Sequence, residues 1–344
     1  MEMTMIIKNI RKRFYTTTLM ALIIASSIMI LNPISNASAT KTSNCTSSSD
    51  PKGIDFVSTV EVWIAAGSGN LDKFTSFSPC TKATSNVGGD PHSIDRTTTT
   101  QVSFSEHLGD KITYFDPTTG VQIECAGTAI DGPGDTDNNG SGSQYTTDNF
   151  KGTVIKTVKG TSSCTVTVYP VTGTSPKPEG IVMSTDVGGF LVIDQNNKKV
   201  WKMTTSGVFT LCKDFSTILG APQPWYVTAN DSQDIFGVTF RDEQKIRYLG
   251  TLSCLVAQTS GTAPGQVFQV EIAGDGVDAY VNYQNNAKVS RYDTTTNTFT
   301  TDDWNTECLS CFGFGLDSQI STNTYYATMS SGSSANKIVK GSIP

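Results

Sequence analysis

Apolar residues in this chain fall in short alternating runs, each closed by a polar turn, and no long stretch sustains a helical period. That pattern predicts many short strands and an all-β fold. A strand, a turn and a second strand opening on Lys followed by Ile or Val recur as QVSFSEHLGDKITYFDPTTG, GFLVIDQNNKKVWKMTTSG, DIFGVTFRDEQKIRYLGTLS, DAYVNYQNNAKVSRYDTTTN and TYYATMSSGSSANKIVKGS. Their lysines, Lys111, Lys199, Lys245, Lys288 and Lys337, stand 88, 46, 43 and 49 residues apart, so the first gap holds two periods. A weaker copy, 151–173, fills that gap, and another starts at Pro51. Pro51 precedes Ala66 by 15 residues, as Pro91 precedes Glu106, which puts these two copies in one register.

Units of this length, each with several short strands, are the mark of propeller blades, because one four-stranded sheet buries its faces only by stacking on the next. The expectation is a seven-bladed β-propeller over 51–344. Six blades plus an inserted hairpin is the alternative, since the region from Gly127 to Pro178 repeats poorly. A β-sandwich with evenly spaced hairpins also fits the strand pattern. Residues 40–50 read as a Ser/Thr-rich linker, and 131–149 as a Gly/Asn/Asp-rich loop.

Lys8, Arg11, Lys12 and Arg13 precede an apolar run, Leu19 to Leu31, and then Ala37-Ser38-Ala39, which predicts a cleaved signal peptide over 1–39 and a secreted or cell-surface protein. Membrane attachment is expected only if that leader stays uncleaved. Without it the net charge moves from −6 to about −9, since four basic residues and one acidic residue leave, and this excludes nucleic acid as a partner. All 8 cysteines lie beyond the leader, as expected of disulfides in an oxidising compartment, and pairing of chain neighbours is the simplest arrangement. Asn44, Asn139 and Asn230 open N-x-[ST] glycosylation patterns.

Both histidines, His92 and His107, fall in one repeat beside carboxylates. From Asp90 to Gly120, P-H-x-I, then a strand ending in S-E-H-x-x-x-K-I, then a D-P-x-T-G turn, resemble the streptogramin (virginiamycin B) lyase family. The resemblance implies a seven-bladed propeller that opens a cyclic depsipeptide at an ester by elimination, with Mg²⁺ required. It implies Asp90 and Glu106 as the metal ligands and His92 as the general base. Lys52, where the family has a second histidine, and His107 would contact substrate. The chain departs from the pattern in having Asp at 90 rather than Glu, in Lys52, and in carrying this copy near its start, whereas the enzymes carry it near their end.

Elsewhere, Asp135, Asp137 and Asn139 occupy positions 1, 3 and 5 of a candidate Ca²⁺ loop with Gly140 at position 6, although position 12 is Thr146. No nucleotide or other organic-cofactor motif and no nucleophile elbow is present. The aromatics Trp63, Trp201, Trp225, Tyr248, Tyr280 and Tyr292 are expected in blade packing, or as a glycan platform at the channel mouth. These readings combine into a monomeric exported propeller that binds a small molecule, a glycan or a protein at its channel face, with a Mg²⁺-dependent C–O lyase as the alternative.

Overall fold

A computed structural model describes residues 39–343, apart from 59–60, 99–100, 231, 273–277, 309–310, 320–322 and 331–335. The expected leader, 1–39, lies outside the described residues except for Ala39. Among the described residues no helix is long and apolar enough to cross a membrane.

Seven four-stranded antiparallel sheets form a β-propeller. Blades one to six are consecutive meanders over 51–86, 91–126, 133–170, 178–214, 227–259 and 267–303. Blade seven takes three strands from 312–342 and its outermost from Thr40–Thr46, which pairs antiparallel with Lys337–Ser342. The first strand of each blade lies innermost, and these seven strands touch their neighbours in an unbroken ring.

The second strands are the most apolar, and their residues are buried almost throughout, as in Glu61–Ala66 and Gly189–Asp194. Both of their faces meet a neighbouring blade, so both are apolar. The core is accordingly divided into seven clusters, one at each blade interface: Trp63 with Phe104 between blades one and two, Tyr145 with Phe190 between three and four, Tyr280 with Tyr325 between six and seven. The recurring lysines Lys111, Lys199, Lys245, Lys288 and Lys337 each begin the third strand of a blade.

Three disulfides join the outer edges of neighbouring blades. Cys45–Cys80 joins seven to one, Cys125–Cys164 joins two to three, Cys212–Cys254 joins four to five, and Cys308–Cys311 lies in the chain between six and seven.

Two expected boundaries are corrected. The supposed linker contains a full strand, because Thr40–Thr46 finds the free edge of Lys337–Ser342 and its backbone groups pair there. The supposed loop at 131–149 holds the strands Pro133–Asn138 and Ser143–Asp148. The poorly repeating region is therefore a complete third blade, and six blades with a hairpin is set aside.

Candidate functional site

Superposing the seven inner strands by register reveals a five-residue motif that begins at the residue paired with the end of the second strand. Its copies read PKGID from Pro51, PHSID from Pro91, PGDTD from Pro133, PEGIV from Pro178, PWYVT from Pro224, VFQVE from Val267 and GFGLD from Gly313. In six blades the register shifts between the first and fourth positions, a bulge that turns the second and third residues toward the channel. Close approach of adjacent strands requires glycine here. A Cβ on Gly53 would lie 2.8 Å from the His92 carbonyl oxygen and one on Gly180 3.1 Å from the Val227 nitrogen.

The second and third residues line a cavity of about 250 Å³ at one end of the channel. Lys52, His92, Glu179, Trp225, Phe268 and Phe314 supply its wall, with Asp135, Tyr226 and Gln269 one residue deeper. His107, Asn149 and Gln284 enter from the turns that follow second strands. One side is aromatic. Phe268 lies 5.4 Å from Phe314 and 6.1 Å from Trp225, and Phe314 meets the His92 ring edge-on at 5.3 Å. His92 continues to His107 at 5.4 Å, and His107 to the exposed Phe150 at 5.2 Å. The Arg241 guanidinium sits 4.0 Å over the Trp225 ring and donates to Gln284 Oε1 at 2.9 Å, which fixes the orientation of the indole.

Burial, then the charges of Lys52 and His107, push the His92 pKa down to about 3, against the pull of Asp90, so the imidazole is neutral at physiological pH. Its Nδ1 is buried without a hydrogen-bond partner, as is Gln269 Oε1. Both residues line the cavity, beside the aromatic side chains and the polar Lys52, Glu179 and Gln284. His107 donates from Nδ1 to the Pro133 carbonyl at 3.3 Å, which sets its tautomer.

The two carboxylates expected to hold Mg²⁺ are engaged separately. Asp90 pairs with Lys52 at 2.8 Å. Glu106 lies outside the cavity wall, fully buried behind Gly89 and Gly109, where it accepts from Thr113 Oγ1 at 2.9 Å and pairs with Lys111 at 3.4 Å. Burial raises the Glu106 pKa despite these two partners. Among the described residues no three acids, histidines or cysteines gather as a metal site. Asp90 and Glu106 thus sit in two separate ion pairs, and the second oxygen of Glu106, Oε2, is buried without a hydrogen-bond partner among the described residues.

Glu106 also has counterparts. Asp148 and Asp194 end the second strands of blades three and four in the same register, and their carboxylates accept backbone N–H groups from the turns on both sides.

The candidate Ca²⁺ ligands do not converge. Asp135 accepts from the backbone of Ile181 at 3.0 Å and Asp137 from that of Met183 at 2.5 Å, both in blade four. Asn139 Oδ1 accepts from Ser141 and Ser143 within its own turn. Of the glycosylation candidates, Asn44 is exposed on the outermost strand of blade seven. Asn230 is buried, with its amide donating to Ser232 and Asp234. Trp63, Trp201, Tyr248, Tyr280 and Tyr292 pack inside the blades, whereas Trp225 faces the mouth. Phe268, Phe314 and Gln269 escaped sequence reasoning, although each stands at a motif position that His92 or Ser93 marks in blade two.

No family model matches the sequence, and no curated protein matches it. Solved structures do. The chain is similar to virginiamycin B lyase from Staphylococcus aureus, with TM-score 0.73 and 16% identity over 88% of this chain and 98% of that one. A catalytically inactive form of that enzyme with quinupristin gives TM-score 0.72 at 16% identity over the same shares. The WD40 propeller domain of Doa1 gives 0.69 at 12% identity, covering 90% of this chain and 98% of that one. At such identities the likeness establishes one thing, that the chain is a β-propeller resembling the streptogramin B lyases in fold.

Proposed function

We propose that this protein is an exported binding module whose channel mouth receives an apolar or aromatic ligand, either a small molecule or a group projecting from a glycan or protein. The observation that carries this reading is the aromatic wall of Trp225, Phe268, Phe314 and His92, with the polar residues Lys52, Glu179 and Gln284 lining the same cavity. Apolar surface supplies affinity, and a few placed polar atoms orient the ligand. Export is supported by the leader pattern and by the four disulfides.

Tryptophan fluorescence tests the reading, with quinupristin, an acetylated phenylalanine amide and a cello-oligosaccharide as probes. Saturable quenching by at least one probe is expected, weakened about tenfold or more by Trp225→Ala, as for an aromatic anchor. No saturable response from the whole set would count against the mouth as a site. Chromatography of the quinupristin samples decides the lyase alternative. Conversion by the wild type that His92→Ala abolishes would make the protein an enzyme, and unchanged quinupristin is the expected result.

A further inference from the structure

The fifth residue of the inner-strand motif is Asp55, Asp95, Asp137, Val182, Thr228, Glu271 and Asp317 in blades one to seven. Five of the seven are carboxylates at one level, about 10 Å along the strand below the residues that open the mouth. They face one another across the channel. Asp55 feels Asp95 and Asp317 from adjacent blades and Asp137 from two blades away, while the Tyr226 phenol of blade five stands among Asp135, Asp137, Glu271 and Asp317.

Several of these acids are anchored to the next blade, Asp137 by the Met183 N–H and Asp317 by the Phe56 N–H at 2.5 Å, while Asp95 accepts from Asn138 and Gln144 and Glu271 from Thr228. Those bonds hold the strands in the ring, and all of their donors are neutral groups. Asp55 feels three of these acids, and its Oδ2 is buried with no hydrogen-bond partner among the described residues. A ring of half-buried acids with an unused carboxylate oxygen calls for a positively charged occupant.

Among the described residues no three of the acids converge as direct ligands of one ion. An occupant must then reach them through its own N–H or water donors.

We propose that the channel below the mouth is a cation site, in which Asp55, Asp95, Asp137, Glu271 and Asp317 hold a hydrogen-bond-donating cation, either an alkylammonium or a hydrated metal ion. This site lies below the aromatic mouth in the same channel, with Asp135 and Tyr226 between the two. The charged and titratable groups that bear on it are these five acids, Asp135, Tyr226 and Arg96, the last easing the charge on Asp55. Burial and mutual repulsion lift Asp317 and Asp135 to about 7 and Asp55 and Asp137 well above their ordinary value, so a cation competes with protons.

Calorimetric titration of the full chain with putrescine and, separately, with CaCl₂ at pH 6 and pH 8 tests the site. Saturable binding of at least one probe is expected, tighter at pH 8 by about tenfold per pH unit for each proton displaced. Asp55→Asn and Glu271→Gln should each weaken it about tenfold or more, while Trp225→Ala leaves it unchanged. Putrescine alone would identify the ammonium, CaCl₂ alone the hydrated ion, and both together a site open to either. Should one of the two acid variants fail to fold, the other carries the comparison. No binding of either probe, or binding that the folded acid variants leave intact, would overturn the proposal.

Discussion

Glu106 illustrates how a residue that reads as catalytic acquires a different role from its register. In sequence it stands 14 residues beyond His92, and the family resemblance implies a metal ligand there. In the fold it occupies the position of Asp148 and Asp194, a buried acid at the end of a second strand, where its carboxylate engages Thr113 and Lys111 of the third strand. Replacing it by Ala removes the acceptor of Thr113 and the partner of Lys111. The expected cost is about 1–3 kcal/mol of stability, as when a buried polar partner is left unsatisfied, with the affinity of whichever probe binds the mouth unchanged. Chemical denaturation and fluorescence titration of the same variant separate this outcome from a metal role, for which Mg²⁺ affinity would fall instead. His92 was recognisable from one repeat because histidine is rare here. Phe268 and Phe314 were not, because the alignment of VFQVE and GFGLD with PHSID depends on backbone register rather than on shared side chains.

Among the elements, third strands were the most legible, since a lysine marks the start of five of them. Two features escaped. Asp135 and Asp137 look like loop residues, yet they lie on a strand whose carboxylates accept backbone N–H groups of blade four. Thr40–Thr46 has almost no apolar pattern because its outer face meets solvent, and its partner lies some 300 residues away in the chain. Periodicity reports burial, so a strand that buries little leaves no trace in it. The Cys45–Cys80 bridge fastens this strand to blade one and spans 35 residues. Loop entropy sets its contribution at about 4 kcal/mol. A Cys45→Ser, Cys80→Ser double variant is expected to lose stability of that order in thermal unfolding under non-reducing conditions, with the lost cooperativity starting between blades seven and one.

Across the whole molecule, the buried acids make stability depend on pH in a direction opposite to the usual one. Asp135 and Asp317, lifted from 3.8 to about 7, keep their protons in the folded protein where the unfolded chain has released them. Their contribution is fully present below 3.8 and is lost as pH rises toward 7. Asp55 and Asp137 act with the same sign. His92 opposes them: lowered from 6.5 to about 3, it refuses a proton that the unfolded chain accepts, so stability falls as pH drops below 6.5. Four carboxylates outweigh one imidazole, and the melting temperature is expected to be higher at pH 5.5 than at pH 7.5. Asp135→Asn, which removes one of the titrating groups, should raise it more at pH 7.5 than at pH 5.5. Scanning calorimetry of both proteins at the two pH values checks the sign, and a wild type that melts higher at pH 7.5 would refute it.

The antiparallel pairing of Thr40 with Ser342 puts the two ends of the propeller chain side by side in a single sheet. A ring joined in this way has no privileged first blade. A circular permutant of residues 39–344, its old ends bridged by a short Gly/Ser linker and new ends opened between blades three and four, should therefore rebuild the same mouth. By the same token, the place of the His92 repeat early in the chain carries no information about where it sits relative to the other blades, because only cyclic order is physically meaningful.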